Sequence, residues 1–312
     1  MSFLTRVCAY SISRQMYRGM INFKKSINSK AVYRWLSIAL RRGPRFSMLI
    51  ILVLIICTLV PNLLAPHSPS TTSLYDQYQP PVGFGGTWTH PLGTDALGRD
   101  LLSRAIFGVR VALIVAAATV FIGGGIGTLL GLIAGYRGGF VDAIVMRAVD
   151  STISIPIILL ALLFAVVFGP GIWNIVVVLS LLIWARYARL VRGEVLSIKN
   201  RDFVTLAKVA GASPVTIVLR HIFPNTINAI VVYSTLEIGW VILTEAALSF
   251  LGAGVPPPTP AWGSMVAEGR DVIGTAWWVS IVPGMAILVT VLALNLFGDW
   301  LRDYMDPRLR HV

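Results

Sequence analysis

The sequence predicts an all-α polytopic membrane protein with six transmembrane helices. Three observations carry this. Of the 312 residues, 56% are hydrophobic and only 13% are charged, whereas a soluble domain has about a quarter of its residues charged. Mean hydropathy is +0.76. The basic residues, finally, crowd into alternate loops between the long apolar runs, so that they collect on one side. The length would accommodate two soluble domains, but the apolar runs point to one bundle whose solvent is lipid.

Residues 1–43 form a basic segment, read as cytoplasmic. Within it Val32, Trp35, Ile38 and Ala39 share one helical face, with Arg34, Arg41 and Arg42 at the margins, which suits a short helix lying on the membrane surface. This basic region is too long for a cleaved signal peptide, so the first apolar run is read as an anchor. A start of translation further along is the alternative.

Residues 44–312 form the membrane domain. A helix needs ~20 apolar residues to cross the hydrocarbon core. Six stretches qualify: 46–64, 109–135, 144–168, 172–191, 227–251 and 277–297. With the N-terminus inside, only Arg99, Arg104, Arg110 and Arg270 of the 26 Lys and Arg residues fall on the outer side. That asymmetry predicts both termini on the cytoplasmic face. The net charge of +12 is thereby explained as topogenic. No basic stripe with interleaved aromatics suggests nucleic acid.

The two cysteines, Cys8 and Cys57, make no disulfide framework, metal motif or redox motif. His67, His90, His221 and His311 are dispersed along the chain, and no Gly-rich phosphate loop followed by Lys is present. The expectation is no catalytic site, no metal ligands and no cofactor. In the second span Gly127, Gly131 and Gly135 recur every four residues after Gly123–Gly125. This pattern lines one helix face and admits a neighbouring backbone, for tight packing or for sliding.

Residues 193–225 separate spans four and five and are too long for a simple connector. Asp202 can cap a helix on which Phe203, Leu206, Ala207 and Ala210 recur at helical spacing. Gly211 can end that helix, and Ser213-Pro214 can start the next.

This loop resembles the cytoplasmic signature of inner-membrane permeases from binding-protein-dependent ABC importers: Glu-Ala-Ala, three residues, Gly, nine residues, Ile-x-Leu-Pro. The matching positions are Thr205, Leu206, Ala207, Gly211, His221, Phe223 and Pro224. Gly and Pro are kept, while Thr205 replaces the Glu and Leu206 an Ala. A literal Glu245-Ala246-Ala247 lies inside span five, with Leu251 where the signature needs Gly.

Three further stretches look like the dipeptide and oligopeptide branch, as the C-type subunit. They are residues 90–104 (HPLGTDALGRDLLSR), 134–150 (AGYRGGFVDAIVMRAVD) and 295–309 (NLFGDWLRDYMDPRL). So does 257–263, except that Ala261 stands where an acidic residue is expected. In the first, Asp95 can cap a short helix with Leu97, Leu101 and Ala105 on one face. In the last, Asp299, Arg302, Asp303 and Asp306 are spaced for helix ion pairs, and Pro307 stops the helix.

The resemblance implies a type I ABC importer permease fold in the bacterial inner membrane. Implied partners are a second permease subunit, two cytoplasmic ATPase subunits that bind the ATP, and an extracytoplasmic substrate-binding protein. Asp202, Thr205, Leu206, Ala207, Gly211 and Pro224 would then couple the ATPases to the membrane helices. Peptides are the implied cargo, with glutathione or nickel complexes as alternatives.

Charged groups inside spans are costly and point to function or pairing. Arg147 and Asp150, three apart on one helix, are expected to pair. Ser234, Glu237, Val241 and Glu245 fall on one face of span five and are candidates to line a translocation path. A competing reading makes Glu237 or Glu245 the proton carrier of an ion-coupled secondary transporter. That reading requires an internal repeat or broken helices in corresponding halves, and neither is evident. A non-transporting assembly factor leaves residues 193–225 without a purpose.

Overall fold

The computed structural model describes residues 44–305, and the interfacial helix expected at 31–42 lies outside them. The chain divides into two units, Met1–Arg45 and Phe46–Val312, and the helical bundle belongs to the second. Its described residues are helices and loops, and the one β contact is an isolated bridge between Thr94 and Asp100.

The helices are α1 (Arg45–Leu59), α2 (Pro61–Leu64), α3 (Leu101–Arg137), α4 (Gly139–Ile153), α5 (Ile157–Phe168) and α6 (Ile172–Ile198). There follow α7 (Asp202–Val209), α8 (Pro214–Ile217), α9 (Phe223–Phe250), α10 (Trp262–Gly269) and α11 (Trp278–Met305). Of these, α3, α6, α9 and α11 are each long and apolar enough to cross a membrane.

Two of the six expected spans are broken helices rather than continuous ones. The stretch read as 144–168 is two helices, α4 and α5, bent by 80°. Pro156 causes the break: it has no N–H to give to the ladder, and it pushes Ile155 out of helical geometry. Counted as one broken span, the pair makes five. The stretch read as 46–64 is broken the same way before Pro61, leaving α1 with 15 residues. At 1.5 Å per residue α1 covers about 22 Å, short of the ~30 Å hydrocarbon core.

The other boundaries move outward. Helix α3 runs 37 residues, roughly 55 Å, and so projects beyond a bilayer core. Asp100 sets its start, accepting from the Ser103 N–H. Asp95, expected to cap a helix here, instead accepts from the Leu97 and Arg99 amides at 2.8 and 3.0 Å in a non-helical turn.

The glycine stripe is a packing seam. A Cβ on Gly127 would stand 2.2 Å from the Trp184 carbonyl, one on Gly131 2.7 Å from the Ala188 carbonyl, and one on Gly135 2.7 Å from Val195 Cβ. Residue numbers rise together along both helices, so α3 and α6 run parallel in backbone contact. Helix α9 runs antiparallel to α11, Thr235 meeting Gly298 and Gly239 meeting Asn295.

The core between these helices is built on Val115, Leu179, Ile183, Val241, Ile242 and Leu248. Outward faces stay apolar, with Phe121 and Val166 each 83% exposed, as befits a surface whose solvent is lipid.

Candidate functional site

One end of the bundle carries α7. Val204 is its buried residue, seated with Leu132 of α3, Val191, Val195 and Ile198 of α6, and Ile217 and Ile222. Lys199 Nζ also donates to the Gly135 carbonyl at 2.9 Å. The seat therefore joins α7 to the ends of both seam helices.

Opposite the seat, Phe203, Leu206 and Val209 are exposed, Leu206 at 67% and Val209 at 81%. Thr205 and Asp202 are exposed too, and Ala207 is half-buried. Asp202 does not cap: α7 starts on it, and Arg201 precedes it with no side-chain cap. Its carboxylate instead lies in the first turn, where the helix dipole favours it.

Gly211 ends the unit as expected. Its φ is +79°, its N–H donates to the Lys208 carbonyl, and Ala212 N–H reaches back to Ala207, the paired bonds of a Schellman stop. A Cβ there would meet nothing within 4 Å, so glycine is required by conformation alone. Ser213 Oγ then accepts from the Thr216 N–H, with Pro214 in the first turn of α8.

Helix α8 does not stop before span five. Val218–Ile222 is a π-helical turn, with Phe223 N–H donating to the Val218 carbonyl, and 214–250 reads as one span. The wide turn lies just before Pro224, whose ring would otherwise clash with the Arg220 carbonyl. Pro224 is exposed at its edge.

The charged groups between spans pair across helices. Arg147 and Asp150 do not pair with each other. Asp150 accepts from Arg189 of α6 at 2.7 Å, and no ion pair of Arg147 occurs among the described residues. Nearby, Arg192 donates twice to Asp142, at 2.5 and 2.6 Å. The i,i+3 spacing lost because α6 offers these carboxylates arginines from a facing helix.

Ser234, Glu237, Val241 and Glu245 share a face of α9 that turns into the protein. Val241 and Glu245 are sealed at 0% and 1% exposure, and Glu245 accepts from Ser249 Oγ at 2.6 Å. Ser234 accepts from Tyr187 Oη at 2.7 Å. Buried Glu237 faces Arg186, whose Nη1 lies 3.4 Å from both carboxylate oxygens. The Arg186 side chain is about one-third exposed, and its guanidinium lies 3.9 Å over the Trp240 ring.

The opposite end holds an ion cluster that spacing alone did not reveal. Asp95, fully buried, accepts from Arg99 Nε at 2.6 Å and from Arg104. Glu268 of α10 accepts from Arg99 at 2.9 Å and from Arg104 at 2.7 and 3.1 Å. Two arginines and two carboxylates thus balance. Trp262 Nε1 donates to the Ala105 carbonyl, and Trp278 Nε1 to that of Thr94.

Here too the dispersed histidines require correction: His67 and His90 meet, their ring centroids 4.7 Å apart. His90 Nδ1 donates to Asp100 Oδ1 at 3.0 Å, and His67 Nδ1 lies 4.0 Å from Asp100 Oδ2. In the tail helix, Asp299, Arg302 and Asp303 form no ion pair with one another among the described residues; Asp306 and Pro307 lie outside them.

Comparison with known proteins gives this geometry its context. Residues 127–311 match the family described as binding-protein-dependent transport system inner membrane component. The di/tripeptide transport system permease protein DppC of Pseudomonas aeruginosa is 41% identical over 279 residues, covering 89% of this chain and 92% of that one. A putative peptide transport system permease protein of Brucella suis is 37% identical, covering 86% and 89%. The glutathione transport system permease protein GsiD of Pectobacterium atrosepticum is 41% identical, covering 84% and 86%.

Proposed function

The chain belongs to the binding-protein-dependent transport system inner membrane component family, and from that premise we propose how it works within its transporter. It is a multi-pass permease subunit of an ABC importer for peptides. Its relatives are named for di/tripeptides, peptides and glutathione, and glutathione is itself a tripeptide. Peptides therefore remain the cargo class.

The chain supplies half of a pore. Its partner is a second, homologous permease subunit, and two cytoplasmic ATPase subunits and an extracytoplasmic binding protein complete the machine. ATP is bound and hydrolysed in those ATPase subunits. The protein lies in the bacterial inner membrane with both termini cytoplasmic, as its basic-residue asymmetry supports.

The observation that carries the coupling role is the two-sided character of α7. One side is anchored through Val204 on the ends of α3, α6 and the 214–250 rod. The other side presents Phe203, Leu206 and Val209, left exposed by the described residues. An ATPase groove receiving that face moves the rod and the seam together, because both rest on one hydrophobic seat. Asp202, Thr205, Leu206 and Ala207 belong to the docking helix, Gly211 fixes its angle, and Pro224 marks the join to the rod. Alternating access follows from ATP-driven closure of the ATPases.

On the membrane path, Ser234 and Glu237 act through Arg186, which is the exposed member of that group. Val241 and Glu245 back them from the interior.

The test is Gly211→Pro, which forces φ from +79° to about −65°. Membrane insertion should be normal while ATP hydrolysis continues without peptide uptake. Normal coupled uptake by this variant would end the proposal. Gly211→Asn, which tolerates the left-handed conformation, should retain most coupling.

A further inference from the structure

At the end of the bundle remote from α7, three side chains from separate stretches converge. His67 follows α2, His90 lies in the long segment before α3, and Asp100 starts α3. One ligand atom from each lies within 4.8 Å of the others. Asp100 is fully buried, the His90 side chain 11% exposed and the His67 side chain 36% exposed.

The hydrogen bonding around this trio is incomplete in one place. Asp100 Oδ2 accepts from the Ser103 N–H and Oγ–H at 2.8 and 2.7 Å, and Ser103 Oγ accepts from the His67 N–H at 3.0 Å. These bonds fix the carboxylate and the backbone that carries His67. The His67 Nδ1 atom is nevertheless buried and has no hydrogen-bond partner. A buried imidazole nitrogen facing a buried carboxylate at 4.0 Å is too far for a hydrogen bond, but it is spaced for an ion between them.

We propose that His67, His90 and Asp100 bind one divalent transition-metal ion of the zinc type. Two imidazoles and one carboxylate are a donor set for borderline ions, and the nitrogens disfavour calcium and magnesium. Ligand atoms each about 2.0–2.2 Å from one ion lie at most ~4 Å apart, so closing the site needs side-chain shifts under about 1 Å. When the ion enters, His90 gives up its bond to Asp100 Oδ1 and its Nδ1 proton passes through water to Nε2, so the imidazole stays neutral and ligates through Nδ1. Ser103 keeps Oδ2 in place throughout. The exposed side of His67 leaves a fourth position for water.

The ion would tie the segment after α2 to the first turn of α3, closing the loop from 67 to 100 at the face remote from the ATPase-docking helix.

The experiment uses the full-length chain in lipid nanodiscs, stripped with chelator and then titrated with Zn²⁺. Wild type should bind one ion that His67→Ala and His90→Ala each weaken at least tenfold, and Co²⁺ in its place should give visible absorption of a low-symmetry site. The His67 imidazole makes no hydrogen bond among the described residues, so His67→Ala is expected to fold. Its metal-free melting temperature, matched to wild type, verifies that, and Zn²⁺ should raise the wild-type value alone. Equal titrations for wild type and both variants, or a Zn²⁺ melting shift that persists in His67→Ala, would overturn the site and leave a hydrogen-bonded helix cap.

Discussion

Arg104 and Glu268, 164 residues apart in sequence, form a two-pronged ion pair in which Arg104 Nη1 and Nη2 reach the two carboxylate oxygens at 2.7 and 3.1 Å. Arg99 and Asp95 complete a neutral cluster of four. Removing one member leaves charge without compensation in a site where Arg104 is 1% exposed. Breaking a buried pair costs about 3–5 kcal/mol. Glu268 keeps 29% side-chain exposure, so Glu268→Ala should cost about 2–3 kcal/mol, read as a lower melting temperature in detergent. Arg104→Met with Glu268→Met should recover part of that loss. A double variant no more stable than Glu268→Ala would show that the ion pair is not what holds α10 to α3.

The seam offers a prediction with its own control. Gly127 has no room for a Cβ against the Trp184 carbonyl, whereas Gly125, two residues away, has nothing within 4 Å. Gly127→Ala should therefore force α3 from α6 and destabilise by about 1–3 kcal/mol. Gly125→Ala should be neutral or stabilise by up to about 1 kcal/mol through helix propensity. Thermal unfolding of the two variants side by side decides it, and equal melting temperatures would contradict backbone contact at the seam.

These contrasts show where sequence reasoning worked. Helices whose faces obey a single rule were legible: the glycine spacing marked the close-approach face of α3, though not α6 as its partner, and the Gly211 and Ser213-Pro214 punctuation gave the α7–α8 joint. Long apolar runs were over-read as continuous, because hydropathy is blind to Pro61 and Pro156, whose missing N–H groups break the helices all the same. Asp95 was taken for the cap although Asp100 stands three residues before Ser103, the spacing an N-cap bond needs. Pairings across space were beyond reach: Arg147 sits one turn from Asp150, yet Arg189 arrives from a separate helix. Nothing in the spacing of His67, His90 and Asp100 announces that a loop folds them together.

The two faces of α7 should respond differently to substitution. Leu206 is 67% exposed, so Leu206→Asp should leave the melting temperature unchanged while abolishing ATPase-coupled uptake. Val204 is fully buried, and Val204→Ala should destabilise by about 1–2 kcal/mol through the space it leaves. Measuring melting temperature and peptide uptake in the same preparations separates the two effects. Leu206→Asp with wild-type uptake would remove this face from the docking role.

Arg186 and Glu237 allow the membrane path to be tested without confusing it with folding. Glu237→Gln alone leaves the Arg186 charge beside a neutral amide, so loss of uptake there has two explanations. The double change Arg186→Met with Glu237→Met removes both charges together and keeps side-chain volume, an exchange that is often neutral for stability. Tyr187 and Ser234 retain their 2.7 Å bond, which preserves the contact between α6 and α9. We expect normal insertion, an unchanged melting temperature, and peptide uptake reduced at least tenfold, because on the proposed path the exposed third of the Arg186 side chain faces the cargo. Uptake at the wild-type rate would mean that the pair only joins α6 to α9, and that the path runs along other surfaces of the bundle.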